Sequence, residues 1–170
     1  QPDPAVSMES MADGIAAILS TEKVEKAILI GHSMGGYITL AFAEKYPTIL
    51  NGIGLFHSTA FADSDEKKEV RKKNIEFINK HGAAKYQQQS LPKLFSEEFN
   101  KAHPDIVKEI ISRYSNFSAT SLVCYTEAMI NRPDRTNVLK DFKNPVLFIF
   151  GEYDTAVPLE QGLKLCKISE

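Results

Sequence analysis

The feature that most constrains this chain is a serine flanked by glycines, placed between a predicted strand and a predicted helix. Residues 31–36 read Gly-His-Ser-Met-Gly-Gly, after an apolar run from Ala27 to Ile30 and before a proline-free stretch from Met34 to Tyr46. The run predicts a buried strand, and the stretch predicts a helix that ends before Pro47. Gly-x-Ser-x-Gly in this setting favours a tight strand-to-helix turn that exposes the Ser33 hydroxyl at the carboxyl end of the strand.

A serine in such a turn is suited to nucleophilic catalysis. Glycines allow the backbone to approach closely at the turn. The amide of Met34, at the start of the helix, would face an oxyanion developing on a bound carbonyl, and the helix dipole would assist it. Because the pattern alone arises by chance in about one chain in twenty of this length, the flanking strand and helix carry the prediction that Ser33 is a nucleophile.

Three short apolar runs predict a parallel sheet. They span Ala27–Ile30, Ile53–Phe56 and Pro145–Phe150. The first is apolar at every position, which is typical of strands buried on both faces. A helix from Met8 to Leu19, with Ser7 as its N-cap, precedes them. Strands alternating with helices favour parallel pairing through crossover connections, and hence an α/β fold.

A helical segment interrupts this alternation. Asp63 with Glu66 resembles a capping box that opens one helix, and Pro104 is well placed to start another. We expect this segment to form a lid over one end of the sheet. The predicted division of the chain is a first core part at residues 1–57, the lid at 58–133 and a truncated second core part at 134–170.

Three stretches of the chain resemble the α/β-hydrolase family. They are residues 27–47 around Ser33, Arg-Pro-Asp-Arg at 132–135, and Pro-Val-Leu-Phe-Ile-Phe-Gly-Glu-Tyr-Asp-Thr-Ala-Val-Pro at 145–158. The last is similar to the family's penultimate strand and the loop bearing its triad acid, so the resemblance assigns Asp154 as the carboxylate that orients a catalytic histidine. It implies a serine hydrolase, esterase-like in substrate, that forms an acyl-enzyme and uses no cofactor or metal.

The chain also departs from the family's pattern. The triad order is serine, acid, histidine, yet only 16 residues follow Asp154 and none of them is a histidine. The family's early strands and its second oxyanion amide are expected before Gln1. We therefore expect an internal fragment with strands five to seven of an eight-stranded sheet. On this view the catalytic histidine lies outside the chain, and the 170 residues are inactive by themselves.

Four histidines are present, and their positions suggest different roles. His32 precedes the nucleophile and is expected to pack aside or contact substrate. His57 ends the second strand on the same edge as Ser33, which predicts a pocket-lining or substrate-binding residue and leaves a catalytic role as an alternative. His81 and His103 lie at helix ends in the lid. None is predicted to replace the missing base.

Charge and composition exclude several other classes of protein. A net charge of −2 argues against nucleic-acid binding, and the basic run at residues 67–73 is interrupted by an acidic residue. No apolar run approaches the roughly 18 residues of a membrane span. Cys124 and Cys166 provide neither a disulfide framework nor metal-ligand spacing, which points to a reducing, cytoplasmic location.

Two alternatives to an esterase stay open. Related turns serve perhydrolases, carbon–carbon bond hydrolases and acyltransferases of the same fold, and these would also take a small-molecule, ester-like substrate. The other alternative is an inactive fragment or binding module. The first strand of such a fragment would have an unpaired edge, which favours self-association with another chain.

Overall fold

A computed structural model of the protein describes residues 6–169, which divide into two units. One comprises residues 6–63 and 131–169, and the other residues 64–130. The sequence, polar and with two prolines at its start, also predicts a loop at Gln1–Ser7, of which only the last two residues are among those described. In chain order the elements are α1 (Met8–Thr21), β1 (Ala27–His32), α2 (Met34–Lys45), β2 (Leu50–Phe56), α3 (Asp65–His81), α4 (Ala83–Ser90), α5 (Glu97–Ala102), α6 (Pro104–Tyr114), α7 (Ala119–Asn131), α8 (Thr136–Asp141), β3 (Val146–Ile149) and α9 (Leu159–Ile168).

The three strands form a parallel sheet in the order β1-β2-β3. Leu29 of β1 pairs with Ile53 of β2, which pairs in turn with Val146 of β3. The predicted parallel α/β arrangement is therefore confirmed. Since all three strands run in the same direction, the residues that follow them, including Ser33 and His57, gather at one edge of the sheet.

One face of the sheet is buried and the other is exposed. Helix α2 packs against β1 and β2, and Ile53 and Leu55 of β2 are each 1% exposed. The expectation that β1 is buried on both faces is wrong, because Ile28 and Ile30 are 67% and 58% exposed. The residues that alternate with these two face the other way, where Ala27 and Leu29 are half-buried, so only one face of the apolar run is covered.

Strand β1 lies at an edge of the described sheet, with β2 as its one paired neighbour there. An apolar edge of this kind can template pairing with another chain. Self-association through β1 stays a prediction, which a measurement of oligomeric state tests.

Two predicted helix starts had different outcomes. Ser7 caps α1 as predicted, accepting a hydrogen bond from the amide of Ser10 at 3.1 Å. The predicted box at Asp63 is wrong, because Ser64 is the residue whose side chain caps α3. Asp63 is buried instead, and its carboxylate accepts a hydrogen bond from Arg132 Nη2 at 2.8 Å. A buried guanidinium requires a charge partner, and this requirement explains the placement of Asp63.

The segment 132–135 holds two arginines that are buried in the same unit as the sheet. The guanidinium of Arg132 lies 3.8 Å from the centre of the Tyr37 ring on α2. Arg135 pairs with Glu44 of α2 at 2.9 Å and also with Glu9 of α1. These contacts attach the segment before β3 to α1 and α2, the two helices on either side of β1.

The second unit consists of helices α3–α7. The predicted helices beginning near residue 65 and at Pro104 are confirmed, and Gly82 ends α3 with φ +83° as a C-cap glycine. The short helices α4 and α5 were not predicted. No helix among residues 6–169 is both long and apolar enough to cross a membrane.

Candidate active site

Ser33 lies at the junction of β1 and α2 in a strained backbone conformation. Its φ is +51° and its ψ is −118°, a region that L-residues rarely adopt. Its amide donates to the carbonyl of Phe56 at 2.9 Å. The residue is exposed, and its side chain caps no amide of α2. The strained turn thus presents an uncommitted hydroxyl to solvent.

A second serine, Ser58, supports this turn by a hydrogen bond from its buried side. It is fully buried, and its Oγ donates a 2.8 Å hydrogen bond to the carbonyl of Ser33. A Cβ on Gly36 would lie 2.2 Å from Ser58 Oγ, so glycine is required there. Sequence reasoning missed Ser58, and the only available signal was a small polar residue two positions after a strand.

The glycines of the motif have different roles. A Cβ on Gly31 would lie 2.2 Å from the carbonyl oxygen of Gly35, which is the close backbone approach predicted for the turn. A Cβ on Gly35 would have nothing within 4 Å. Steric necessity therefore applies to the first glycine of the Gly-x-Ser-x-Gly pattern and not to the second.

Asp154 lies on the loop after β3, where its carboxylate is held by three hydrogen bonds. Oδ1 accepts from the amides of Ala156 at 2.8 Å and Val157 at 3.0 Å. Oδ2 is 2.7 Å from Nδ1 of His57. Partial burial favours protonation of Asp154, but the Val157 amide, the His57 imidazole and the Ala156 amide outweigh it and lower the pKa of this carboxyl. The group is therefore an anionic hydrogen-bond acceptor at neutral pH.

His57 directly follows β2 and has a φ of +47°. The structure gives it a partner that the sequence did not predict, because its ring contacts the acid candidate. Gly151 makes room for this ring, since a Cβ there would lie 2.8 Å from His57 Cε1. The two residues are 97 positions apart in the chain, and their strands pair as neighbours.

The other two predicted site residues lie at the end of β1. Met34 is the first residue of α2, so its amide has no partner inside the helix. His32 is exposed, and its ring stacks edge-on against Phe56 at 5.2 Å and lies 6.0 Å from the ring of His57. The structure thus brings Ser33, Met34, His32, His57 and Asp154 to one edge of the sheet.

Among residues 6–169 no cluster of three or more His, Cys, Asp or Glu side chains has the geometry to hold a metal ion. The groups assembled here are a hydroxyl, an imidazole, a carboxylate and the first amide of α2. This set is suited to acyl transfer through a nucleophile and a proton acceptor.

Residues 1–164 match the Ndr family. The hydrolase YugF of Bacillus subtilis is 26% identical over 166 residues, covering 92% of this chain and 59% of that protein. RutD of Agrobacterium fabrum, named as a carbamate hydrolase, is 24% identical over 163 residues, covering 94% of this chain and 61% of that protein. The chain therefore spans less than two thirds of the length of these relatives.

Solved structures agree with the fold predicted from the sequence. A thermophilic esterase from Thermogutta terrifontis is 30% identical with a TM-score of 0.88, covering 99% of this chain and 62% of that one. An enol-lactonase from Burkholderia xenovorans LB400 is 22% identical with the same TM-score of 0.88, over 98% of this chain and 63% of that one. The predicted α/β-hydrolase fold is confirmed.

Proposed function

The chain belongs to the Ndr family, and from this premise we propose that the protein is a serine hydrolase, esterase-like in its substrates, with Ser33 as nucleophile and Asp154 as triad acid. One observation carries the proposal. The strained Ser33 turn has an exposed, uncommitted hydroxyl, at the same sheet edge as a carboxylate already bonded to an imidazole. Strained backbone of this kind persists at functional sites because the surrounding contacts hold it.

The proposed reaction is acyl transfer in two steps. Ser33 Oγ attacks the carbonyl carbon of an ester, and a histidine takes up the hydroxyl proton. The negative oxygen of the tetrahedral intermediate accepts a hydrogen bond from the Met34 amide at the positive end of α2. The carbon–oxygen bond breaks, the alcohol leaves with that proton, and water then hydrolyses the acyl-enzyme by the same route.

The comparisons support a hydrolase in general terms. YugF and RutD carry hydrolase names, and the Thermogutta terrifontis protein is called an esterase. An ester-like small molecule is therefore the proposed substrate class, with carbamates as a second carbonyl class to assay. His32 is proposed to contact the substrate, because its exposed ring lies beside Ser33 in the chain. A cytoplasmic location stays a prediction.

Reactive labelling tests the nucleophile directly. We expect a fluorophosphonate probe to modify the full-length gene product once and p-nitrophenyl acetate to be hydrolysed by it, with both reactions abolished in Ser33→Ala. Ser112→Ala is the matched control, since that serine is exposed on α6 and belongs to the other unit. Equal labelling of Ser33→Ala and Ser112→Ala would contradict the proposal.

The alternative chemistries of the same fold differ in the molecule that accepts the acyl group. Water accepts it in a hydrolase, hydrogen peroxide in a perhydrolase and a second alcohol or thiol in an acyltransferase, whereas a carbon–carbon bond hydrolase cleaves a different bond. Product analysis with each acceptor separates them. A protein that the probe does not label would favour the remaining alternative, an inactive binding module.

A further inference from the structure

The backbone of Ser33 is held at both its amide and its carbonyl by the end of β2 and the residues after it. The amide donates to the carbonyl of Phe56 at 2.9 Å, and the carbonyl accepts from the Ser58 hydroxyl at 2.8 Å. The same carbonyl also accepts from the amide of Gly36 at 3.0 Å. Because a carbonyl oxygen has two lone pairs, both are used, and the peptide group that contains this oxygen is fixed in direction.

The hydrogen bond from Ser58 also determines where the next amide points. The Ser33 carbonyl and the Met34 amide belong to one planar trans peptide group, in which C=O and N–H point in opposite directions. Fixing the carbonyl toward Ser58 therefore fixes the Met34 N–H away from Ser58. Since Ser58 is fully buried and Ser33 is exposed, this N–H is directed away from the buried side of the turn. It has no partner inside α2.

The surroundings of Ser58 are specific for this contact. A Cβ on Gly36 would lie 2.2 Å from Ser58 Oγ and 2.4 Å from Ser58 Cβ, so glycine at 36 makes room for the serine side chain. The chain reaches Ser58 from β2 through His57, whose φ is +47°. Thr59 is buried as well, but its hydroxyl accepts from the amide of Phe61 at 3.2 Å. Of these two neighbouring buried hydroxyls, that of Ser58 is the one bonded to the serine turn.

We propose that Ser58 is a positioning residue whose buried hydroxyl orients the Ser33–Met34 peptide group, so that the Met34 N–H faces the oxyanion of the reaction. The inference rests on the proposed function and deepens it. A backbone donor is effective when it already points to the oxygen on which charge develops, since no reorganisation is then needed during the reaction. Without the Ser58 hydroxyl, the carbonyl keeps only the Gly36 amide, and the peptide group gains freedom to rotate.

The kinetics of Ser58→Ala in the full-length gene product test this role. Acylation and deacylation each pass through an oxyanion, so kcat and kcat/KM for p-nitrophenyl acetate should fall together, with KM within about twofold of the original. We expect a fall of about 10-fold, which is less than the roughly 100-fold or greater loss on removing an oxyanion donor outright. Rates are expressed per active site, counted by fluorophosphonate titration, so that a smaller folded fraction does not imitate this result.

An oxyanion-forming inhibitor and a matched control make the measurement specific. With trifluoroacetophenone, Ser33 Oγ bonds to the ketone carbon, the hydroxyl proton passes to the base, and the ketone oxygen becomes the oxyanion. The inhibition constant should rise about 10-fold in Ser58→Ala, in step with the fall in kcat/KM. Thr59→Val is the control, because it removes the neighbouring buried hydroxyl and its backbone hydrogen bond. Both constants, per active site, should be unchanged in that variant.

The outcomes separate this inference from the proposed function. If Ser33→Ala is inactive but Ser58→Ala matches Thr59→Val in kcat and inhibition constant, the inference fails and the nucleophile stands. If only the number of active sites falls, or only KM rises, Ser58 is structural or binds substrate, and the inference also fails. If Ser33→Ala keeps its activity, the proposed function itself fails. Should Ser58→Ala not fold, by circular dichroism, Ser58→Cys replaces it, since a thiol is a weaker donor and should give the same loss in kcat; two unfolded variants would assign Ser58 to structure alone and overturn the inference.

Discussion

Replacing Gly31 by alanine tests whether the serine turn depends on a backbone contact. The added Cβ would lie 2.2, 2.3 and 2.4 Å from O and C of Gly35 and N of Gly36, where ordinary contacts begin at 3.4 Å. All three atoms belong to the backbone, so no side-chain rotation relieves the overlap. Overpacking typically costs 1–3 kcal/mol, and this rigid case should cost about 3 kcal/mol or more.

Gly35→Ala is the matched control inside the same motif. Its Cβ would meet nothing within 4 Å, and alanine is favoured over glycine in a helix by roughly 0.5–1 kcal/mol. The two variants should therefore differ by about 4 kcal/mol in the free energy of unfolding, a factor of about a thousand in the folding equilibrium.

Urea unfolding followed by circular dichroism measures this difference. For a chain of this size Gly31→Ala should also lower the melting temperature by about 6–12 °C. Equal midpoints for the two variants would refute the reasoning, because they would mean that the backbone at the turn shifts without cost.

Three further predictions concern single side chains. Ser33→Gly should raise the free energy of unfolding by about 1 kcal/mol, since glycine relieves the positive φ; calorimetry showing the same gain in Ser33→Ala would contradict this explanation. Asp63→Ala should cost about 3–5 kcal/mol in urea unfolding, because it leaves Arg132 buried without this carboxylate, and a loss similar to that of an exposed Asp65→Ala would contradict it. The lowered pKa of Asp154 means that its stabilisation is complete above the ordinary carboxyl pKa of 3.8 and is lost as the pH falls through the lower folded-state value. Acid titration of stability should therefore show a smaller loss in Asp154→Asn, and an unchanged loss would show that other groups account for it.

Local sequence was sufficient to predict the structure wherever one short segment determines its own backbone conformation. The turn at Ser33 follows from a glycine that must approach a neighbouring carbonyl, together with an apolar strand before it and a helix after it. The N-cap at Ser7 follows from side-chain chemistry three residues away. The predictions of three parallel strands and of the helices at Met8 and Pro104 belong to the same category, since periodicity and capping are local properties.

Predictions were wrong where a residue's partner is distant in the chain. Asp63 has the sequence context of a helix cap, but the buried guanidinium of Arg132 competes for its carboxylate. Ile28 and Ile30 are apolar like buried residues, yet burial depends on which elements cover the sheet. Both errors have one cause. Helix-capping preference and hydrophobicity are properties of a residue and its sequence neighbours, whereas burial and charge pairing depend on the elements that pack around it.

The amino-acid sequence by itself determined the kind of site this protein has. A hydroxyl on a constrained turn and a carboxylate after a later strand are local features, and each could be identified from the residues beside it. Only the tertiary structure decided that His57 meets Asp154 and that Ser58 supports the turn from behind. Those contacts depend on strand order and register, because parallel pairing brings together three strand ends that are far apart in the chain.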